Sequence, residues 1–280
     1  MKIIGIVSSY YSDIIEFERN INSYISGLDY LIIWENTPNE KSQVKQLVEK
    51  FNSTKIEVRT THKNEFLAYP FNTCIKWAEQ NGFTHVITLD QDSYFNDGDF
   101  NLFLNQIENE KSEKIAIYTP SININKNDSN KIEKIKFAFT SGSVHPINIF
   151  KKVGYFREDF LIYAIDVEFS FRVRENEYTI IRYPNVILNH TMGYAKKNKL
   201  GLLINNYSAI STYFIIRNTL IMWKDYPNEF SRFDKNSFVK YKIIYRLLKL
   251  VFESNRLLKI KAILVGTYHG LIRRAGSYEL

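Results

Sequence analysis

Val86-Ile87-Thr88-Leu89-Asp90-Gln91-Asp92-Ser93 is an apolar run that ends in two carboxylates flanking one residue. Read as a strand of an α/β sheet, residues 84–89 deliver Asp90 and Asp92 at the strand's carboxyl end, where open α/β sheets bind ligands. Side chains alternate along extended chain, so residues i and i+2 face the same way and both carboxylates can meet one ion. Such a pair suits a hard divalent cation, Mg²⁺ or Mn²⁺, which prefers carboxylate oxygens and often bridges the phosphates of a nucleotide. Alone, an Asp-x-Asp more often marks a solvated turn or a helix cap, so the surrounding chain has to decide.

Upstream, residues 3–7 read as a buried β-branched strand followed by the polar turn Ser8-Ser9-Tyr10-Tyr11. Apolar positions at helical spacing predict a helix over 14–25, then come a buried strand at 30–34 and an amphipathic helix at 42–51. A short strand at 56–58 and a helix at 68–81 lead into the central strand. Strands alternating with helices imply a mostly parallel sheet flanked by helices, a Rossmann-like α/β fold. No G-x-G-x-x-G follows the first strand, which argues against a dinucleotide cofactor. Downstream, a helix is expected at 100–107, a strand at 114–119 and a polar loop or hairpin at 123–134. Residues 137–143 return to the core, where Gly142 permits a backbone shape or close approach that a Cβ would block. A short helix ends near Gly154, Asp166 and Glu168 form a second acidic constellation, and a strand at 178–183 stops at Pro184 before 186–188 lead to His190.

The composition is that of a folded protein: 45% hydrophobic and 24% charged, with 19 Tyr and 20 Phe, far more aromatic surface than a disordered chain carries. A net charge of +7 favours an acidic partner. Much of it is concentrated late: residues 232–274 hold eleven Lys or Arg against two acids, interleaved with leucines at helical spacing. A basic amphipathic helix is a candidate for an anionic membrane surface, and equally for a helical cap with a solvated basic rim. Nucleic acid is not an expected partner, because the basic region contains no recognisable module. The single Cys74 rules out an intrachain disulfide and a multi-cysteine zinc site. The apolar N-terminus stops at Ser8-Ser9, too short for a signal peptide or a spanning helix. A cytoplasmic protein, peripheral at the inner face of the membrane, is the expectation.

Several ordered motifs resemble the family-2 glycosyltransferases of GT-A fold, and within them the bacterial rhamnosyltransferase-like group. Leu89-Asp90-Gln91-Asp92-Ser93 looks like that group's form of the Asp-x-Asp motif, and Thr140-Ser141-Gly142-Ser143 is similar to its TSGS segment. Ile165-Asp166-Val167-Glu168-Phe169 through Arg172 resembles its VDTEW...R segment, His190 with Gly193 its H-x-x-G, and Arg217-Asn218 the RN near the catalytic domain's end. The resemblance runs over nearly the whole chain. It implies a GT-A catalytic domain over 1–225, with a nucleotide-sugar-binding first half and an acceptor-binding second half, and the basic leucine-rich stretch beyond it is expected to be a C-terminal helical, membrane-associating extension over 226–280.

The same resemblance implies roles. Asp90, Asp92 and His190 would hold Mn²⁺ or Mg²⁺, an imidazole tilting the preference to Mn²⁺. Asp166 would be the catalytic base of an inverting transfer, with Glu168, Ser141, Gly142 and Arg172 contacting or supporting the acceptor. Ser8, Ser9, Tyr10, Glu35, Asn36, Asn64, Asn72 and Asp90 would bind the nucleotide sugar. Departures from the pattern bear on the acceptor pocket and the donor: Tyr163 stands where the group often has Asp, Ile165 replaces a Glu, and Glu65 replaces a Gly. The expected donor is dTDP-rhamnose, ahead of UDP-galactofuranose, UDP-galactose or another UDP-hexose. The expected acceptor is a glycan or a lipid-linked oligosaccharide. Whether the chain forms a homo-oligomer stays open. Two other readings remain: a sugar-phosphate nucleotidyltransferase, which would want a Gly-rich basic loop that residues 8–13 lack, and a non-catalytic nucleotide-sugar or membrane-binding module.

Overall fold

The computed structural model of the chain describes all residues except 39–41, 52, 124–130, 191–195, 198–202, 205–206, 251–252 and 278–280. The chain forms two compact units, Met1–Phe156 with Phe169–Thr191, and Arg157–Glu168 with Met192–Leu280. The compositional break near residue 226 lies inside the second.

The first unit begins β1 (Ile3–Ser9), α1 (Ile14–Asn22), β2 (Tyr30–Glu35), α2 (Val44–Phe51), β3 (Ile56–Arg59), α3 (Ala68–Gln80) and β4 (His85–Asp90). It continues with β5 (Ser93–Phe95), α4 (Asp99–Asn109), β6 (Ile115–Ile122), β7 (Glu133–Ile135), β8 (Ser143–Pro146) and α5 (Ile147–Val153). Helix α6 (Ile165–Glu175) starts in the second unit and runs into the first, which β9 (Thr179–His190) completes. Among the described residues nine strands form one sheet, ordered β3-β2-β1-β4-β8-β6-β9-β5, with β7 also on β9. Strands β3, β2, β1 and β4 are parallel, β8 is antiparallel to both its neighbours, and β6 and β9 are parallel again. The central strands are buried along nearly their whole length, as expected where helices cover both faces of a sheet. Phe17 and Ile21 of α1, Val44 and Leu47 of α2, and Phe100, Phe103 and Ile107 of α4 join the strand residues in one core cluster.

Four sequence expectations change. Ser8 and Ser9 belong to β1 rather than to a turn, because β2 extends the ladder on one side (Ser9 opposite Glu35) and β4 on the other (Ser8 opposite Asp90). Pro184 does not end its strand: β9 absorbs it in an irregularity, the register with β6 jumping from Pro120–Tyr183 to Ser121–Ile187. A bulge is one of the few places a sheet tolerates proline. Phe137 and Phe139 are exposed and stack edge to face on one another, and only Ala138 between them is buried. Helix α1 is shorter than the predicted 14–25, its last apolar residue, Ile25, opening a separate 3-10 turn.

The second unit contains the short antiparallel pair β10 (Lys196–Lys197) and β11 (Leu203–Ile204), and α7 (Ala209–Asp225), whose residues are mostly buried. A helical run follows: α8 (Arg232–Phe238), a π-helical stretch Val239–Ile244 and α9 (Tyr245–Lys249). Helix α10 (Arg256–Leu271) packs on α7. The two approach closely where Gly266 faces Tyr213; a Cβ there would lie 2.9 Å from the Tyr213 carbonyl oxygen. Ile216, Leu220, Leu250 and Ile263 make a small core of their own.

Candidate active site

Parallel pairing of β1, β2 and β4 sets Ser8, Ser9, Glu35 and Asp90 side by side at the carboxyl ends of three strands. The chain then turns through Gln91 and Asp92 into β5, which runs antiparallel to β9 with Ser93 opposite His190. This register is what joins Asp90, Asp92 and His190, whose ligand atoms lie within 4.8 Å of one another. His190 Nδ1 is 3.1 Å from Asp92 Oδ1 and Nε2 is 3.8 Å from Asp90 Oδ2. All three side chains are half-buried, so the site can be reached from solvent. Burial works against a charged His190, but the hydrogen bond it donates to Asp92 and the charges of Asp90 and Asp92 outweigh it and raise the imidazole pKa. Two carboxylates converging on a histidine form a cation-seeking group, and the donor set of oxygens plus one imidazole can hold Mn²⁺ or Mg²⁺.

Neighbours fix these groups. Ser93 Oγ lies 2.9 Å from His190 Nδ1 and 2.7 Å from Ser141 Oγ, and Ser141 Oγ accepts from the Asp90 amide at 3.0 Å. One chain of hydrogen bonds therefore ties the ends of β4, β5 and β9 to the TSGS segment. Gly142 makes the segment possible. Its φ is +80°, its amide donates to the Thr88 carbonyl at 2.8 Å, and a Cβ would come within 2.6 Å of buried Leu188. Asn123 holds His190 from the other side, its amide pairing with the His190 carbonyl at 2.5 Å and the His190 N–H at 2.8 Å. Gln91 reaches the loop after β1. It accepts from the Tyr10 N–H at 2.6 Å and from Ser12 Oγ at 2.8 Å, and so pins that loop. Sequence reading missed Gln91, Ser93 and Asn123, short polar residues of the kind that turns use everywhere. Gly193 lies outside the described residues.

The expected nucleotide residues separate into two groups. Ser8, Ser9, Glu35 and Asn36 are buried together: Asn36 Nδ2 donates to Ser8 Oγ at 3.0 Å, and Ser9 Oγ to the Trp34 carbonyl at 3.4 Å. Glu35 accepts from the Thr37 N–H at 2.7 Å and Ser42 Oγ at 2.6 Å, and lines a cavity of about 220 Å³ with Tyr11 and Thr37. Tyr10 follows β1 with an exposed ring, edge to face with Tyr11. Asn64 is exposed and accepts from the Phe66 N–H at 2.8 Å, closing a local turn. Asn72 is buried in α3, where its amide exchanges two hydrogen bonds with the peptide of Phe156 at 2.8 and 3.0 Å, a structural clip.

The second acidic constellation opens α6. Asp166 keeps partial exposure in the first helical turn, and desolvation raises its carboxyl pKa against the hydrogen bond from the Val167 N–H. Glu168 is buried and accepts from the Tyr226 hydroxyl at 2.6 Å. Arg172, four residues on, donates to the Val153 carbonyl at the end of α5 at 2.8 Å. The loop leading into α6 is strained, with Leu161, Tyr163 and Ala164 all at φ near +63°. Asn218 holds it: its Nδ2 lies within 3.1 Å of the carbonyls of Phe160, Ile162 and Tyr163. Arg217, fully buried between the Tyr213 and Phe214 rings, donates to the Asp159 carbonyl at 2.9 Å and to Asn218 Oδ1 at 2.9 Å. The Arg217-Asn218 pair is thus the scaffold of the loop that leads into the helix carrying Asp166.

No protein-family model matches the sequence, and no curated protein does. Among solved structures, the fold is similar to that of GalNAc-T7, crystallised with UDP, GalNAc and Mn²⁺, with a TM-score of 0.62 and 11% identity. The match covers 81% of this chain and 49% of that one, so the chain spans about half the length of the structure it resembles. At that identity the likeness shows the fold: the GT-A architecture expected from the sequence is the architecture of this chain.

Proposed function

We propose that the chain is a metal-dependent, inverting glycosyltransferase that moves a sugar from a nucleotide diphosphate to a hydroxyl of a glycan or lipid-linked oligosaccharide. By motif resemblance the donor is dTDP-rhamnose, or else UDP-galactofuranose or a UDP-hexose, and the product is a bacterial surface polysaccharide. The observation that carries this reading is the Asp90–Asp92–His190 cluster at the carboxyl end of β4 in a GT-A fold. The UDP, GalNAc and Mn²⁺ in the GalNAc-T7 crystal support a nucleotide-diphosphate donor and a divalent metal.

A divalent ion on these three residues would offset the charge that develops on the departing diphosphate. Ser8, Ser9, Glu35 and Asn36 form the polar end of the strands against which the nucleoside lies, and the exposed Tyr10 ring offers a face for the base. As the acceptor oxygen attacks the anomeric carbon, the bond from that carbon to the diphosphate oxygen breaks and the acceptor's proton passes to Asp166. The raised pKa of Asp166 makes it a stronger base than an ordinary aspartate. Glu168, engaged by Tyr226, steadies the helix that carries it.

Release of nucleoside diphosphate from dTDP-rhamnose, UDP-galactose, UDP-glucose and UDP-galactofuranose tests this, with and without a chelator. Release from one donor is expected, abolished by chelation and in Asp92→Ala. Asp166→Asn should keep metal and nucleotide binding but lower turnover about 10²- to 10⁴-fold. Proton NMR of the first-formed product should show the anomeric configuration inverted. Nucleotide binding with no turnover on any donor, lipid-linked sugar extracts included, would replace the enzyme with a binding module.

A further inference from the structure

We infer that the outward face of α10 is a docking surface for an anionic lipid bilayer. Helix α10 is apolar on two sides. One side, including Ala262, Ile263, Gly266 and Gly270, is buried, with Gly266 and Gly270 against α7. The other side presents Leu257, Ile260, Leu264, Tyr268 and Leu271, which recur every three or four residues and so share a face. Leu257 is 84% exposed, Leu264 65% and Tyr268 60%. A soluble helix with one buried face ordinarily carries polar residues on the other, and an exposed apolar stripe of this length marks an interaction surface.

Charge identifies the occupant. Lys261 lies on the same exposed face, Arg256 at its start, and Arg273 and Arg274 just past its end. The acids that would balance them are engaged elsewhere. Glu253 is buried in a 2.7 Å pair with Lys259, and Asp234 closes the capping box of α8 through Ser231. Asp225 is shared between Arg157 and Arg273, so it offsets part of the Arg273 charge and leaves Arg256, Lys261 and Arg274 to carry the positive field. The preceding helical run adds Tyr241 and Leu248, both exposed, beside exposed Lys240 and Lys242. An apolar stripe inside a positive field suits acyl chains beneath anionic headgroups, whereas a second copy would bring like charges together. No described helix is long and apolar enough to cross a membrane, so this one lies on the surface. The inference rests on these exposed faces and not on the transferase reading.

The test is co-sedimentation of the full chain with vesicles of phosphatidylcholine alone and of equal parts phosphatidylcholine and phosphatidylglycerol. Binding should be at least about tenfold stronger to the anionic vesicles and weaken as salt rises. The double variant Leu257→Glu with Leu264→Glu should lose it, and Arg256→Gln with Lys261→Gln should weaken it and flatten the salt dependence. Nucleotide binding by calorimetry, which reads the other unit, should be unchanged in both. Equal binding to the two vesicle types, no binding to either, or a dimer that the leucine variant converts to monomer would overturn the inference.

Discussion

At the residue scale the site depends on a division of labour within three consecutive residues. In the turn after β4, Asp90 and Asp92 converge on His190 while Gln91 between them bonds the loop after β1. Ser93 then orients His190. Hydroxyls and carboxylates behind a metal-binding histidine commonly carry 10- to 100-fold of metal affinity. Ser93→Ala should therefore weaken Mn²⁺ binding by about that factor in calorimetry while the fold stays intact. An unchanged affinity would mean that the serine only packs. The raised pKa of His190 adds a pH dependence. A ring must be neutral to bind metal, so protons compete over the upper part of the histidine range, and Mn²⁺ affinity should fall as pH falls through it. His190→Asn should bind weakly and lose most of that slope. The acidic pair and the histidine are chemically distinctive and could be read from the sequence. Ser93 and Asn123 could not, because their partners lie 97 and 67 residues away and their own residue types suggest only turns.

Elements deliver these residues, and two of them carry strain to do so. Strand β9 was readable as far as Pro184, where missing N–H bonding predicts an end. In the fold the irregularity beside Pro184 lets the strand continue and aim His190 at β5. Short β5 and antiparallel β8 left no signal in the period of hydrophobic residues, since three- and four-residue strands are too brief to show one. Gly142→Ala combines a left-handed φ with a contact of 2.6 Å to Leu188, and should destabilise by about 1–3 kcal/mol in urea unfolding. The loop before α6 is the second strained piece. Asn218 Nδ2 shares its two N–H donors among three carbonyls of the loop, so Asn218→Ala releases the loop that contains positive-φ Leu161, Tyr163 and Ala164 just before Asp166. Turnover should drop at least about tenfold with Mn²⁺ affinity unchanged. A matching loss of metal binding would show instead that the substitution damages the fold at large.

Across the molecule, the α/β order of the first 90 residues was legible because long apolar strands and amphipathic helices alternate there. The exposed stripe on α10 was not, since periodicity shows which residues share a face but not which face is covered. Burial also shapes the response to acid. His145 sits among the rings of Phe150, Phe156 and Phe169, and burial lowers its pKa to about 3. His85, mostly through burial, is lowered to about 4. Both are neutral in the fold, while in the unfolded chain each takes up a proton near pH 6.5. Below 6.5 the unfolded state therefore binds more protons, and stability falls as pH falls, until the folded pKa values are passed. Asp166 has the opposite sign: its raised pKa makes the ionised form costly at neutral pH, and protonation relieves that cost as pH drops. His190, its pKa raised, shares the sign of Asp166 and offsets part of the loss that His85 and His145 cause. From His145 alone that loss is about 2–3 kcal/mol by about pH 4.5. Urea unfolding midpoints between neutrality and that pH should shift accordingly. His145→Leu, which keeps an apolar side chain in the same aromatic pocket, should flatten the slope, and a variant as acid-sensitive as the parent would move the cause to the carboxylates.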